Sequence, residues 1–177
     1  MDADYQKYED LANETFPGLT MFVRDVNLPD TIASKYKQGM IIREKGLTDT
    51  SFRVMGMITT HRYSILSNHM RDLRIDEHTI NWGLCIATAD SHFKVLDIYK
   101  YGNKTQILML HLPEDEDWKL FQNVVFNLEE GFVKTSRERF ENKCNLDPVP
   151  ALATDEWLAR CTFPLGMDDN GNFFELE

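Results

Sequence analysis

The 177-residue sequence is poor in the features that usually announce chemistry. No apolar run approaches the roughly 20 residues that a membrane-spanning helix needs, so no membrane partner is expected. The first residues, MDADYQKYEDLANETF, are acidic and hold no apolar core segment, which argues against a secretory signal and makes the cytoplasm the expected compartment. The three cysteines, Cys85, Cys144 and Cys161, include no CxxC pair, so neither a disulfide framework nor a structural zinc site is expected. The phosphate-cradling patterns GxGxxG and GxxxxGK[ST] are absent, as are the GxSxG nucleophile elbow and the HExxH zinc helix. The five histidines match no ligand spacing, and neither a metal nor a cofactor is expected.

What is present is the composition of a folded chain: 42% hydrophobic, 27% charged and 11% aromatic residues. The length suits one domain, and no linker or repeat divides residues 1–177. The net charge of -10 is unevenly spread, because residues 17–75 hold nine bases against five acids while both flanks are acidic. Packing of the ends against the middle accounts for that pattern. Non-specific binding to nucleic acid is disfavoured, since most of the surface would repel phosphates.

Periodicity outlines the elements. Tyr5, Tyr8 and Leu11 recur at helical spacing over residues 4–15, and Pro17-Gly18 ends that helix. LTMFVRDV (19–26) is strand-like, and residues 51–67 form one bent strand or two, with Gly56 as a bulge. LCIATA, FKVLDIYKY and KTQILMLHL follow with short turn-like links, and together they predict an antiparallel meander. Trp118, Phe121, Val125, Leu128, Phe132 and Phe140 then recur at three- and four-residue steps, predicting one long amphipathic helix near 114–142. Asn170-Gly171 marks a hairpin turn near the end, where DDNG also brushes against a calcium-loop pattern without its exiting helix. The expected class is α+β, an antiparallel sheet with flanking helices.

Two stretches invite a functional reading. In HLPEDEDWKLF (111–121), His111 closes an apolar strand face and is expected to bond a nearby polar group rather than a metal. Pro113 suits a helix start, and carboxylates there interact with the positive end of the helix dipole. Four in a row, Glu114, Asp115, Glu116 and Asp117, exceed that need and could receive lysines or arginines from a partner, with Trp118 as an aromatic anchor. The segment 53–74 gathers Arg53, Arg62, Arg71 and Arg74 with His61 and His69 against a single acid, Asp72, and could seat a phosphate or carboxylate.

These features lead to two readings. The first is a non-enzymatic acidic protein-binding domain, an inhibitor or immunity-type protein that neutralises a basic, toxin-like partner. The alternative is a small enzyme or ligand-binding domain that uses the arginine and histidine segment for an anionic substrate.

Overall fold

The computed structural model describes residues 14–122 and 127–176. The helix expected over 4–15 falls largely outside them. Eight strands form a single sheet: β1 (Thr20–Val26), β2 (Ile41–Glu44), β3 (Thr48–Ser51), β4 (His61–Ser67), β5 (Arg71–Asp72), β6 (Leu84–Ala87), β7 (Ser91–Tyr101) and β8 (Lys104–His111). The helices are α1 (Asp30–Ala33), α2 (Glu77–Trp82), α3 (Asn127–Lys143) and α4 (Asp155–Arg160). The α+β class therefore stands, with one long helix.

The sheet order is β2-β7-β8-β4-β1-β3-β6-β5. It is mixed rather than purely antiparallel, because β4 and β8 run parallel at its centre. Only β7 and β8 make the expected hairpin, turning at Gly102 with φ +61°. β6 is not part of a meander, because β3 and β5 occupy both of its edges. Buried hydroxyls of β3 reinforce this pairing: Thr50 donates to the Cys85 carbonyl at 2.7 Å and Ser51 to the Trp82 carbonyl at 2.6 Å.

The connection between β6 and β7 shapes the whole sheet. The two strands lie five steps apart in the order, a span of roughly 24 Å in a flat sheet. Only Thr88, Ala89 and Asp90 join them, a link that reaches about 14 Å at full extension. The sheet must therefore curl until its two halves face each other. The core cluster inside the curl draws on both halves: Tyr63 and Ile65 of β4, Ala87 of β6, Phe93 and Val95 of β7, and Ile107 and Met109 of β8.

Side-chain alternation sends Leu108, Leu110 and Leu112 to the opposite face, where they meet Trp118 and Phe121. The helix expected over 114–142 is divided there. Asp115 caps a 3₁₀ helix, Glu116–Phe121, and α3 begins at Asn127, with Val125 outside the described residues. The aromatic stripe divides with it, since Trp118 and Phe121 join the β8 leucines while Phe140 packs with Met57 and Cys144. Ion pairs add to the docking of α3: Lys94 meets Glu129 at 3.0 Å, and Asp97 takes Arg137 through two bonds of 2.7 and 2.8 Å. A bulge between Val95 and Asp97 interrupts the regular register of β7 here.

Gly56 meets the loop after α3 so closely that an added Cβ would lie 1.7 Å from the Leu146 carbonyl oxygen. Gly131, inside α3, has nothing within 4 Å of its added Cβ. Denaturant unfolding should thus show Gly56→Ala destabilising by about 2 kcal/mol or more. Gly131→Ala should stabilise by about 0.5–1 kcal/mol, through helix propensity alone.

Candidate functional site

The arginine and histidine residues of segment 53–74 do not converge. Arg62 is 2% exposed and bonds Asp25 bidentately at 2.6 and 2.8 Å, with the Met55 and Gly56 carbonyls as further acceptors. Arg74 pairs with Asp72 at the surface, and Arg71 meets Glu114 at 3.5 Å. Arg53 donates to the Ile80 carbonyl, and His61 bonds the Thr60 hydroxyl. His69 stacks on His111 with ring centroids 3.9 Å apart. Strand alternation and the 68–76 loop send these side chains to different places, which proximity in sequence could not reveal.

The acidic run is largely occupied by its own structure. Glu114 accepts from Thr88 and pairs with Arg71, while Asp115 accepts from the Asp117 amide as the 3₁₀ cap. Asp117 is exposed, and the Glu116 side chain lies outside the described residues. Trp118 is only 4% exposed and stacks on His92 at 4.2 Å, so it is a core side chain rather than a surface anchor. The DDNG turn is a hairpin: Met167 bridges Phe173, and an Asp168 carboxylate oxygen accepts the Asn170 and Asn172 amides.

His111 is fully buried between two serines. The Ser91 hydroxyl donates to the Thr88 carbonyl, so it accepts from His111 Nε2, leaving Nδ1 to accept from Ser67 at 2.9 Å. Burial, reinforced by His69 and His92 nearby, pushes the His111 pKa down to about 3. A base this weak is poorly suited to activating Ser67 near neutrality.

The charge that stands out is Arg24, on β1. It is 5% exposed and donates to the Asp49 carbonyl at 3.1 Å and the Phe163 carbonyl at 3.3 Å. Its Nε is buried without a partner, and no carboxylate pairs with it among the described residues. Asp49 and Glu44, the acids nearest in the fold, are engaged elsewhere. Asp49 is taken by Arg160 at 2.9 Å, and Glu44 accepts the Gly46 and Gly166 amides at 2.8 and 2.7 Å. Arg24 lines a cavity of about 450 Å³ with the apolar Leu47, Phe163, Pro164, Met167 and Phe174 and with the charged Glu44, Arg160, Asp168 and Asp169.

One wall of this cavity is the segment after α4, and the core fastens it in place. The Leu165 amide donates to the Tyr63 hydroxyl at 3.2 Å, and the Tyr36 hydroxyl donates to the Leu165 carbonyl at 2.7 Å. The two hydroxyls meet at 2.7 Å, closing a ring. Burial pushes the Tyr63 pKa up to about 12 and that of Tyr36 higher still, which keeps both protons in place. The cavity thus has apolar walls with Arg24 buried in one of them, and a charged border of Arg160, Glu44, Asp168 and Asp169. Sequence reasoning treated LTMFVRDV only as a strand; an arginine within a strand buried along most of its length was the available signal.

No protein-family model and no curated protein sequence matches the chain. Solved structures match part of its course. The type III effector XopAI from Xanthomonas axonopodis pv. citri does so at 12% identity and TM-score 0.46, over 55% of this chain and 43% of that one. The ADP-ribosyltransferase Vis, from Vibrio splendidus, matches at 13% identity and TM-score 0.42, over 63% of this chain and 59% of Vis. Exoenzyme S from Pseudomonas aeruginosa matches at 12% identity and TM-score 0.46, over 75% of this chain and 68% of the enzyme. The chain spans about half the length of the first two. These neighbours are described as effectors and enzymes, and the inhibitor or immunity-type reading of the composition is corrected accordingly. The burial of Trp118 removes the expected aromatic anchor from that reading as well.

The histidine cluster has a measurable consequence. His111 binds a proton in the unfolded chain below about pH 6.5 but not in the fold until about pH 3, so stability falls as the pH drops through that window. His61, His69 and His92 are also shifted downward by burial and act in the same direction. Urea unfolding between pH 6.5 and 5 should lose up to about 1.4 kcal/mol per pH unit for each fully titrating histidine. His111→Gln should flatten that slope; an unchanged slope would mean that His111 does not contribute.

Proposed function

We propose that the chain is a small ligand-binding or enzyme domain that takes an anionic ligand, bearing a phosphate or a carboxylate, in the cavity beside Arg24. The observation that carries this reading is the isolation of the Arg24 charge. A buried guanidinium without a counter-charge costs folding free energy, and the usual remedy, a neighbouring carboxylate, is spent on Arg160 or on backbone amides. After its two carbonyl bonds Arg24 keeps one unused N–H on each terminal nitrogen, a pair suited to two oxygens of a carboxylate or phosphate. The apolar part of the lining favours a ligand whose anion is attached to a flat or hydrophobic body, and Glu44, Asp168 and Asp169 on the border oppose any anion that does not reach Arg24 or Arg160. The anionic substrate expected from the sequence is thereby moved from segment 53–74 to β1.

Thermal unfolding with phenyl phosphate, benzoate and NAD tests the proposal. NAD is included because structures of C3stau2 from S. aureus and of Exoenzyme S are described with NAD and Carba-NAD. Binding at 100 times Kd should add about 2.7 kcal/mol, a rise of roughly 5–10 °C for a chain of this size. At least one probe should stabilise the wild type and fail to stabilise Arg24→Met. Equal stabilisation of both proteins, or no response to any probe, would contradict the assignment. The ligand-free stability of Arg24→Met should stay within about 1 kcal/mol of the wild type, because a buried charge is lost along with two hydrogen bonds. Arg62→Met, which strands Asp25, should cost about 3–5 kcal/mol.

A further inference from the structure

The end of the sheet beyond β6 carries a surface that the Arg24 cavity does not use. Phe52 is 37% exposed, Ile80 47% and Ile75 81%, the last among the most exposed large apolar side chains described. They lie together. The Arg74 guanidinium sits 4.8 Å over the Phe52 ring and that of Arg53 5.7 Å from it, while Arg53 also donates to the Ile80 carbonyl. The backbone at Gly83, which ends α2, is pressed against Phe52, fixing the ring at the base of the patch. An aromatic ring flanked by two arginines and bordered by isoleucines has the make-up of a protein-interface centre.

The charges on this patch are left open in opposite senses. Arg74 is neutralised by Asp72, but Arg53 has no carboxylate partner among the described residues. Glu77, in the first turn of α2 beside Asp76, likewise has no hydrogen bond or ion pair there. Arg53 bonds the Ile80 carbonyl and Glu77 stands three residues before Ile80 on α2, so a cation and an anion, neither with an oppositely charged partner among the described residues, both adjoin Ile80. A two-fold axis through such a patch brings Arg53 of one copy toward Glu77 of the other, twice, while the isoleucines cover one another. β5, only two residues long, is the outermost strand at this end, so no further strand covers it among the described residues.

We infer that this surface is the contact of an isologous homodimer, centred on Phe52, Ile75 and Ile80 and oriented by Arg53–Glu77 pairs between copies. The net charge of -10 opposes the approach of two identical chains, so the dimer depends on local charge complementarity as well as on the apolar centre.

Sedimentation equilibrium of the full chain from 1 to 200 µM tests the inference. A reversible monomer–dimer equilibrium is expected, and Ile75→Asp should weaken it by about 30-fold or more. Arg53→Glu and Glu77→Arg should each weaken it, since each sets like charges across the axis. The double exchange, with both substitutions in one chain, should restore affinity to within about 3-fold of the wild type. All three positions are at or near the surface, and circular dichroism of each variant separates loss of contact from loss of fold. A monomer at every concentration overturns the inference. So does a dimer that is indifferent to Ile75→Asp, or one that the double exchange fails to rescue.

Discussion

Three residues between β6 and β7 impose the constraint on which the rest of the structure depends. A flat eight-stranded sheet cannot be bridged by Thr88, Ala89 and Asp90, so the sheet curls and becomes its own lid. The curl makes an inner face that is buried on all sides, while helices and the 3₁₀ segment cover parts of the outer one. β1 and β4 are buried along almost their whole length as a result. A charged side chain on either strand is therefore held away from water and needs a specific partner. Asp90 takes a left-handed conformation within the link, with φ +64°, and its carboxylate holds Arg43 of β2.

That environment makes the contrast between Arg62 and Arg24 informative. The two guanidiniums lie on paired strands and are almost equally buried. Arg62 has a bidentate carboxylate and two carbonyls, and it joins β1, β4 and the loop at 55–56 as a structural node. Arg24 has two carbonyls and an adjoining cavity. Nearby acids are available to neutralise it, yet Arg160 and the amides of Gly46 and Gly166 hold them. The Tyr36–Tyr63–Leu165 ring fixes the cavity wall, so the unpaired charge belongs to a rigid site.

Local patterns were legible in the sequence where they depend on local physics. The alternation in KTQILMLHL predicted a strand apolar on both faces, and Ile107 and Met109 do lie opposite Leu108 and Leu110. Asn170-Gly171 predicted its hairpin turn, where Gly171 adopts φ +73°. Strand partnership was not legible, because tight links around β6 and β7 look alike whether the next strand pairs beside the last or returns across a curled sheet. The division of the long helix was hidden for a similar reason: Trp118 and Phe140 keep a helical period while packing into different clusters. The arginines and histidines of segment 53–74 cluster in sequence but not in space, since each has its own separate partner. Charge density along a chain does not show which charges are already neutralised, and Arg24 becomes conspicuous only once Asp49 and Glu44 are seen to be held by other groups.

In the proposed function, the Arg24 guanidinium binds the anion of the ligand. Proton–nitrogen correlation spectra of the arginine Nε–H groups test it most directly, with Arg24 and Arg62 identified by single substitution. Addition of phenyl phosphate at millimolar concentration should move the Arg24 Nε–H signal and slow its exchange with water, leaving Arg62 in place. An Arg24 signal that stays fixed through the titration, or that moves no more than the Arg62 signal, would contradict the account.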